Sequence, residues 1–114
     1  MTKKTVFIFN SFGMGVSDDA NLKITLAKKF LSLIASADSL PAQICFYTDG
    51  VRLTVEGAPV LDELKALAAK GVELVICSTC LDTFGLRDKV RVGVVGGMPD
   101  IITAMTQGDN VVTL

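Results

Sequence analysis

The chain has 114 residues, half hydrophobic and a fifth charged, and eleven basic residues nearly offset twelve acidic ones for a net charge of −1. That length is one domain, residues 1–114, and the composition calls for a packed core and excludes a disordered chain. No basic stripe marks a nucleic-acid surface, and no apolar run approaches the ~20 residues of a membrane helix. Lys3 and Lys4 before Val6–Phe9 look like the start of a signal peptide, but the apolar run is too short and ends in Asn10-Ser11. Three cysteines, two of them close together, suit a reducing compartment, and the expected location is the cytoplasm. Histidine is absent, which removes Ser-His-Asp and Cys-His nucleophile pairs and weakens any catalytic zinc site. The mean hydropathy of +0.52 points to strands covered on both faces and to an oligomer interface.

In chain order, Lys4–Asn10 reads as a buried strand, followed by a glycine loop, Ser11–Gly15. A helix capped by Ser17 or Asp18 runs to about Ala37, with Leu22, Leu26, Phe30, Leu33 and Ile34 as its apolar face. Gln43–Thr48 is a second strand, Asp49-Gly50 a turn, and Val51–Val55 a short piece whose type the pattern leaves open. A helix with Pro59 in its first position stops at Gly71. Val72–Cys77 is the third strand, followed by a loop or short helix to Lys89 and a fourth strand, Arg91–Val95. A last helix from Met98 or Pro99 to Gln107 precedes a fifth strand, Asn110–Thr113. Alternation with short connections implies an α/β fold, a three-layer α/β/α sandwich on a five-stranded, mainly parallel, Rossmann-like sheet. Ligands of such sheets bind beyond the carboxyl ends of the strands, here the loops beginning at Asn10, Tyr47 and Cys77.

Cys77-Ser78-Thr79-Cys80 stands at that edge. If Ser78 or Thr79 caps a short helix, its free N–H groups favour a thiolate, the form that attacks sulfur or a disulfide, and Arg87 and Lys89 add positive charge. Asp82 is placed to shuttle a proton or to cap a helix. Asn10, Asp49, Arg52 and Glu56 belong to the neighbouring loops and line the same edge. The Cys-x-x-Cys spacing also fits a dithiol redox pair or half a zinc site, and both cysteines also read as packing residues. Cys45, mid-strand, is expected in the core, which leaves zinc without a second ligand pair, so no metal is expected.

Three segments carry a resemblance: Phe46–Leu53, Val55–Leu61 and, most specific, Cys77-Ser78-Thr79-Cys80-Leu81-Asp82-Thr83-Phe84-Gly85-Leu86. In this order they resemble the DsrE-like domain that forms the C-terminal part of YedF-type proteins, which are described as sulfurtransferase-like and linked to selenium metabolism. The resemblance implies a sulfur relay in which a cysteine at the end of the third strand carries a persulfide between a donor and an acceptor protein, without an organic cofactor. Cys77, eight residues before Gly85, matches the carrier position, and Cys80 is implied as a resolving or sharing partner. Homo-oligomers are also implied. YedF-type proteins add a TusA-like domain with a Cys-Pro motif; the chain has no counterpart, which implies a stand-alone relative or a TusA-like partner.

Overall fold

The structure, a computed structural model, describes residues 4–114. Five strands, β1 (Thr5–Phe9), β2 (Gln43–Phe46), β3 (Glu73–Cys77), β4 (Val94–Gly96) and β5 (Asn110–Thr113), form one sheet in the order β4-β3-β2-β1-β5. Every pairing is parallel. Four α-helices, α1 (Ala20–Ala35), α2 (Leu61–Ala69), α3 (Ser78–Phe84) and α4 (Met98–Gln107), alternate with the strands, so the expected α/β fold on a parallel sheet is what the chain forms.

The register decides which side chains share a face. Phe7, Ile44 and Leu74 are aligned across three strands, and so are Phe9, Phe46, Ile76 and Val95 one step on. This face carries α1, whose Phe30 meets the Phe7 ring edge-on at 5.0 Å, and α2, packed beside α1. Val6, Ile8, Cys45, Val75 and Val94 point the other way, toward α4. The topology explains the division. Steps from β1 to β4 all move in one direction, whereas the step from β4 to β5 returns across the whole sheet. A right-handed crossover then puts α4 on the opposite face. Cys45 is fully buried as expected, and burial pushes its thiol up to about 11.

Several boundaries differ from the sequence reading. The N-cap of α1 is Asp19, whose Oδ1 accepts the Leu22 N–H at 3.1 Å; Ser17 instead accepts the Asp19 N–H. The buried row of α1 is Ala27 and Leu31, flanked by Ile24, Phe30 and Ile34. Leu22, Leu26 and Leu33 lie outside it, with Leu33 72% exposed. The apolar stripe is wider than the sheet beneath it, and periodicity alone does not say which row turns inward. Pro59 precedes α2 by two residues, and Val60 is the N-cap. Thr48–Thr54 forms a 3-10 helix rather than a turn and an extended piece. The residues 91–92, expected in β4, are used earlier. Val90 bridges Val55 in antiparallel fashion and the Arg91 N–H goes to the Thr54 carbonyl, so the parallel pairing begins only at Val94. No helix among the described residues is long and apolar enough to cross a membrane.

Candidate functional site

Because all strands are parallel, Asn10, Tyr47, Cys77 and Gly97 leave the sheet at the same edge. Cys77 ends β3 and is the N-cap of α3, with no side-chain capping bond, so neither Ser78 nor Thr79 caps the helix. Gly85 closes α3 in the left-handed conformation at φ 67°, which glycine adopts without the cost a side chain carries there. This helix of about two turns carries Cys80 on its first turn, just after Cys77.

The two sulfurs differ in environment. Cys77 is 1% exposed and belongs to the core, whereas Cys80 is partly open. The Cys80 Sγ accepts the backbone N–H of Thr48 at 3.0 Å. Partial burial raises the Cys80 thiol above the ordinary cysteine value. The Thr48 bond opposes that, and the hydrogen bond and charge interaction with Cys77 and the nearby Asp49 carboxylate add to it. The two cysteines stand three residues apart, one at the end of β3 and the other on the first turn of α3, and the donor on Cys80 comes from the next loop rather than from its own helix.

The Thr48 loop is held by three features. The Tyr47 N–H binds the Phe9 carbonyl and the Gly50 N–H binds the Tyr47 carbonyl. Gly50 approaches β1 so closely that a Cβ there would lie 2.0 Å from the Phe9 oxygen and 3.2 Å from the Asn10 nitrogen. Thr48 itself has φ 52°, the only non-glycine residue at positive φ among those described. Such a conformation costs on the order of 1 kcal/mol and persists where its surroundings impose it. Arg52 ties the loop to α3 from the far side. Its Cζ stands 4.1 Å from the centre of the Phe84 ring while its Nε donates to Asp49 Oδ1 at 3.1 Å.

The remaining sequence candidates fall at differing distances from this chemistry. Asp49 joins the site through its charge. Asn10 is exposed and passes its backbone beside Gly50. Thr79 is exposed, and its carbonyl accepts the Thr83 hydroxyl. Arg87 does not donate to either sulfur among the described residues. It grips Asp82 through two bonds of 2.7 Å, and that guanidinium holds the Asp82 carboxyl below the usual range. The pair is therefore satisfied within itself: the guanidinium is engaged with Asp82 rather than with either sulfur, and the Asp82 carboxyl is held in its ionised form. Glu56 pairs with Arg91 at 3.5 Å, away from the thiols. Thr48 and Phe84 are the contributors that sequence reasoning missed; one acts through its backbone, which no side-chain pattern reports. Among the described residues no three Cys, Asp or Glu side chains converge as metal ligands. A cavity of about 310 Å³ lies at the opposite edge of the sheet, lined by Lys4, Gln43, Glu73 and Gln107, and includes neither cysteine.

Known proteins place this architecture. No curated protein matches the chain. Among solved structures it is similar to the ychN protein from E. coli, with 21% identity, 99% of this chain and 100% of that one covered, and a TM-score of 0.70. It is also similar to MTH1491 from Methanobacterium thermoautotrophicum, a protein of unknown function, at 22% identity, coverage of 98% and 99%, and TM-score 0.70. BT1422 from Bacteroides thetaiotaomicron, likewise of unknown function, gives 13%, coverage of 97% and 95%, and 0.67. At these identities the likeness is one of fold. The profile of the DsrE/DsrF-like family, however, matches residues 3–114, nearly the whole sequence, and on that ground the chain belongs to the DsrE/DsrF-like family.

Proposed function

We propose that the protein is a sulfur carrier of the YedF-like type, taking sulfane sulfur, or selenium in its place, from a donor protein and holding it on a cysteine for an acceptor. The observation that supports this most directly is the thiol pair at the carboxyl edge, one sulfur in the core and the other open beneath a fixed N–H donor. Cys80 is the loading sulfur in this reading, because a partner's persulfide reaches an open thiol and not one that is 1% exposed. The position implied by resemblance, Cys77, becomes its neighbour in the reaction. The loading step is balanced without a cofactor: the Cys80 thiolate attacks the outer sulfur of the donor persulfide, forms a Cys80 persulfide, and releases the donor thiolate. The Thr48 N–H holds Cys80 Sγ in place and offsets part of the cost of ionising it.

Donor and acceptor are proteins, a TusA-like protein being one fitting partner, and a reducing cytoplasm keeps both thiols available. Self-association belongs to the same proposal. The exposed leucines of α1 lie on the face of the sheet that also presents the exposed Val112 of the edge strand β5.

The test is intact-mass analysis after incubation with a cysteine desulfurase and cysteine, followed by peptide mapping. The expected result is a gain of one sulfur atom, reversed by a thiol reductant and mapped to Cys80. If the protein gains no sulfur from the desulfurase or from inorganic polysulfide while Cys80 is still readily alkylated, the carrier reading fails.

A further inference from the structure

The geometry points to a carrier that discharges itself: Cys77 attacks the persulfide on Cys80 and expels hydrosulfide, so the protein releases inorganic sulfide (or selenide) and becomes a disulfide that a dithiol reductant must reopen. This inference rests on the carrier reading and specifies what the site does with a loaded sulfur that no acceptor protein has taken. It follows from the position of the second thiol. A pure relay protein needs one open cysteine and nothing in the same site able to displace its cargo. Here Cys77, the N-cap of α3, lies three residues before Cys80, across the first turn of that helix. It is enclosed, 1% exposed, and so poorly placed to meet a second protein. Its accessible reaction partner is Cys80.

Spacing and shape suit the reaction. The i, i+3 arrangement at the start of a short helix allows ring closure without unwinding a strand. The Thr48 N–H anchors Cys80 Sγ, and the terminal sulfur of a Cys80 persulfide would extend toward the open side. Attack by the Cys77 thiolate on the inner sulfur forms the Cys77–Cys80 bond and breaks the bond to the terminal sulfur, which leaves as HS⁻. The Cys77 proton goes to water. The terminal sulfur is reduced to the sulfide level and the two cysteines are oxidised to the disulfide. A dithiol then supplies two electrons and two protons and restores both thiols. The enclosure of Cys77 makes the expulsion intramolecular, with the rate advantage that a held neighbour has over a diffusing thiol.

The experiment uses the full chain, loaded with inorganic polysulfide and freed of small molecules by rapid gel filtration. Wild type is expected to release about one hydrosulfide per chain at a rate independent of protein concentration, and to finish two hydrogens lighter with Cys77 and Cys80 joined. Cys77→Ser is expected to trap the extra sulfur on Cys80 and to release sulfide more than about tenfold more slowly. Dithiothreitol should return the spent wild-type protein to the dithiol and permit a second cycle. Two results overturn the inference while leaving the carrier reading intact: a wild-type persulfide as long-lived as that of Cys77→Ser, or equal sulfide release from both. If neither protein retains sulfur, releases sulfide or forms the disulfide, the carrier reading itself falls and this inference falls with it.

Discussion

Replacing Gly50 by alanine tests whether the site is built by the close approach of its loop to β1. The added Cβ would sit 2.0 Å from the Phe9 oxygen and 2.6 Å from the Phe9 carbonyl carbon, both backbone atoms of a central buried strand. Ordinary contact requires a separation more than ~1 Å greater, and neither atom can step aside as a side-chain tip does. The loop must therefore lift by about that amount. Overpacking of this kind costs about 1–3 kcal/mol, and the backbone-on-backbone clash places Gly50→Ala at the upper end. With a urea slope of roughly 1–3 kcal/mol per molar, the unfolding midpoint should fall by about 1–3 M. Lifting the loop also stretches the 3.0 Å bond from the Thr48 N–H to Cys80 and loosens Arg52 from Phe84. The assay is urea unfolding together with iodoacetamide alkylation of the native protein, which reports Cys80 because Cys45 and Cys77 are enclosed. Gly57→Ala is the control: that glycine has φ 83° but nothing near its missing Cβ, so the change costs about 1 kcal/mol and leaves Cys80 alone. Unfolding of Gly50→Ala within about 0.5 kcal/mol of wild type, with unchanged alkylation, would refute the reasoning.

Burial raises the Cys45 thiol from 9.0 to about 11, so the unfolded chain loses its proton first as pH rises. The Cys45 contribution is therefore complete below pH 9 and disappears between 9 and about 11. The ceiling for two pK units is about 3 kcal/mol, which screening reduces to about 1–2. Urea unfolding across that range should fall less steeply for Cys45→Ala; an identical slope would count against the burial argument. Arg87→Ala should leave the Cys80 alkylation rate within about twofold, because the guanidinium serves Asp82 and not the sulfur; a tenfold fall would restore Arg87 to the site. Leu31→Ala should cost about 2–5 kcal/mol, whereas Leu33→Ala should stay within about 0.5 kcal/mol. Sedimentation of the Leu33 variant reads the proposed self-association, since a residue 72% exposed in the monomer matters only if another copy covers it.

How much of this was legible in the sequence depended on whether the signal was local. β5 and the end of α4 carry their own punctuation, Gly108 before a short β-branched run, and both were found where they lie. The strand-to-Cys-x-x-Cys junction was equally readable, because a continuous apolar run ending in Cys77 is the pattern of a strand buried on both faces. Residues 48–55 were not. Their conformation is imposed by the Phe9 carbonyl below and by the Val55–Val90 bridge beyond, both distant along the chain. The inner row of α1 was misjudged for a related reason: Leu33 and Leu31 are equally apolar, and only the sheet distinguishes them.

The sequence by itself determined the alternation of strand and helix, the cysteine pair at a strand's carboxyl end and the absence of any histidine to activate it. Tertiary structure decided which sulfur faces out, because α3 turns one cysteine toward the loop and leaves the other at the end of a covered strand. It also gave Cys80 its hydrogen-bond donor, a backbone N–H brought from another strand's loop, and assigned Arg87 to Asp82 instead. These are contacts between segments far apart in the chain or choices among identical local signals, and only packing three-dimensional elements against one another selects among them.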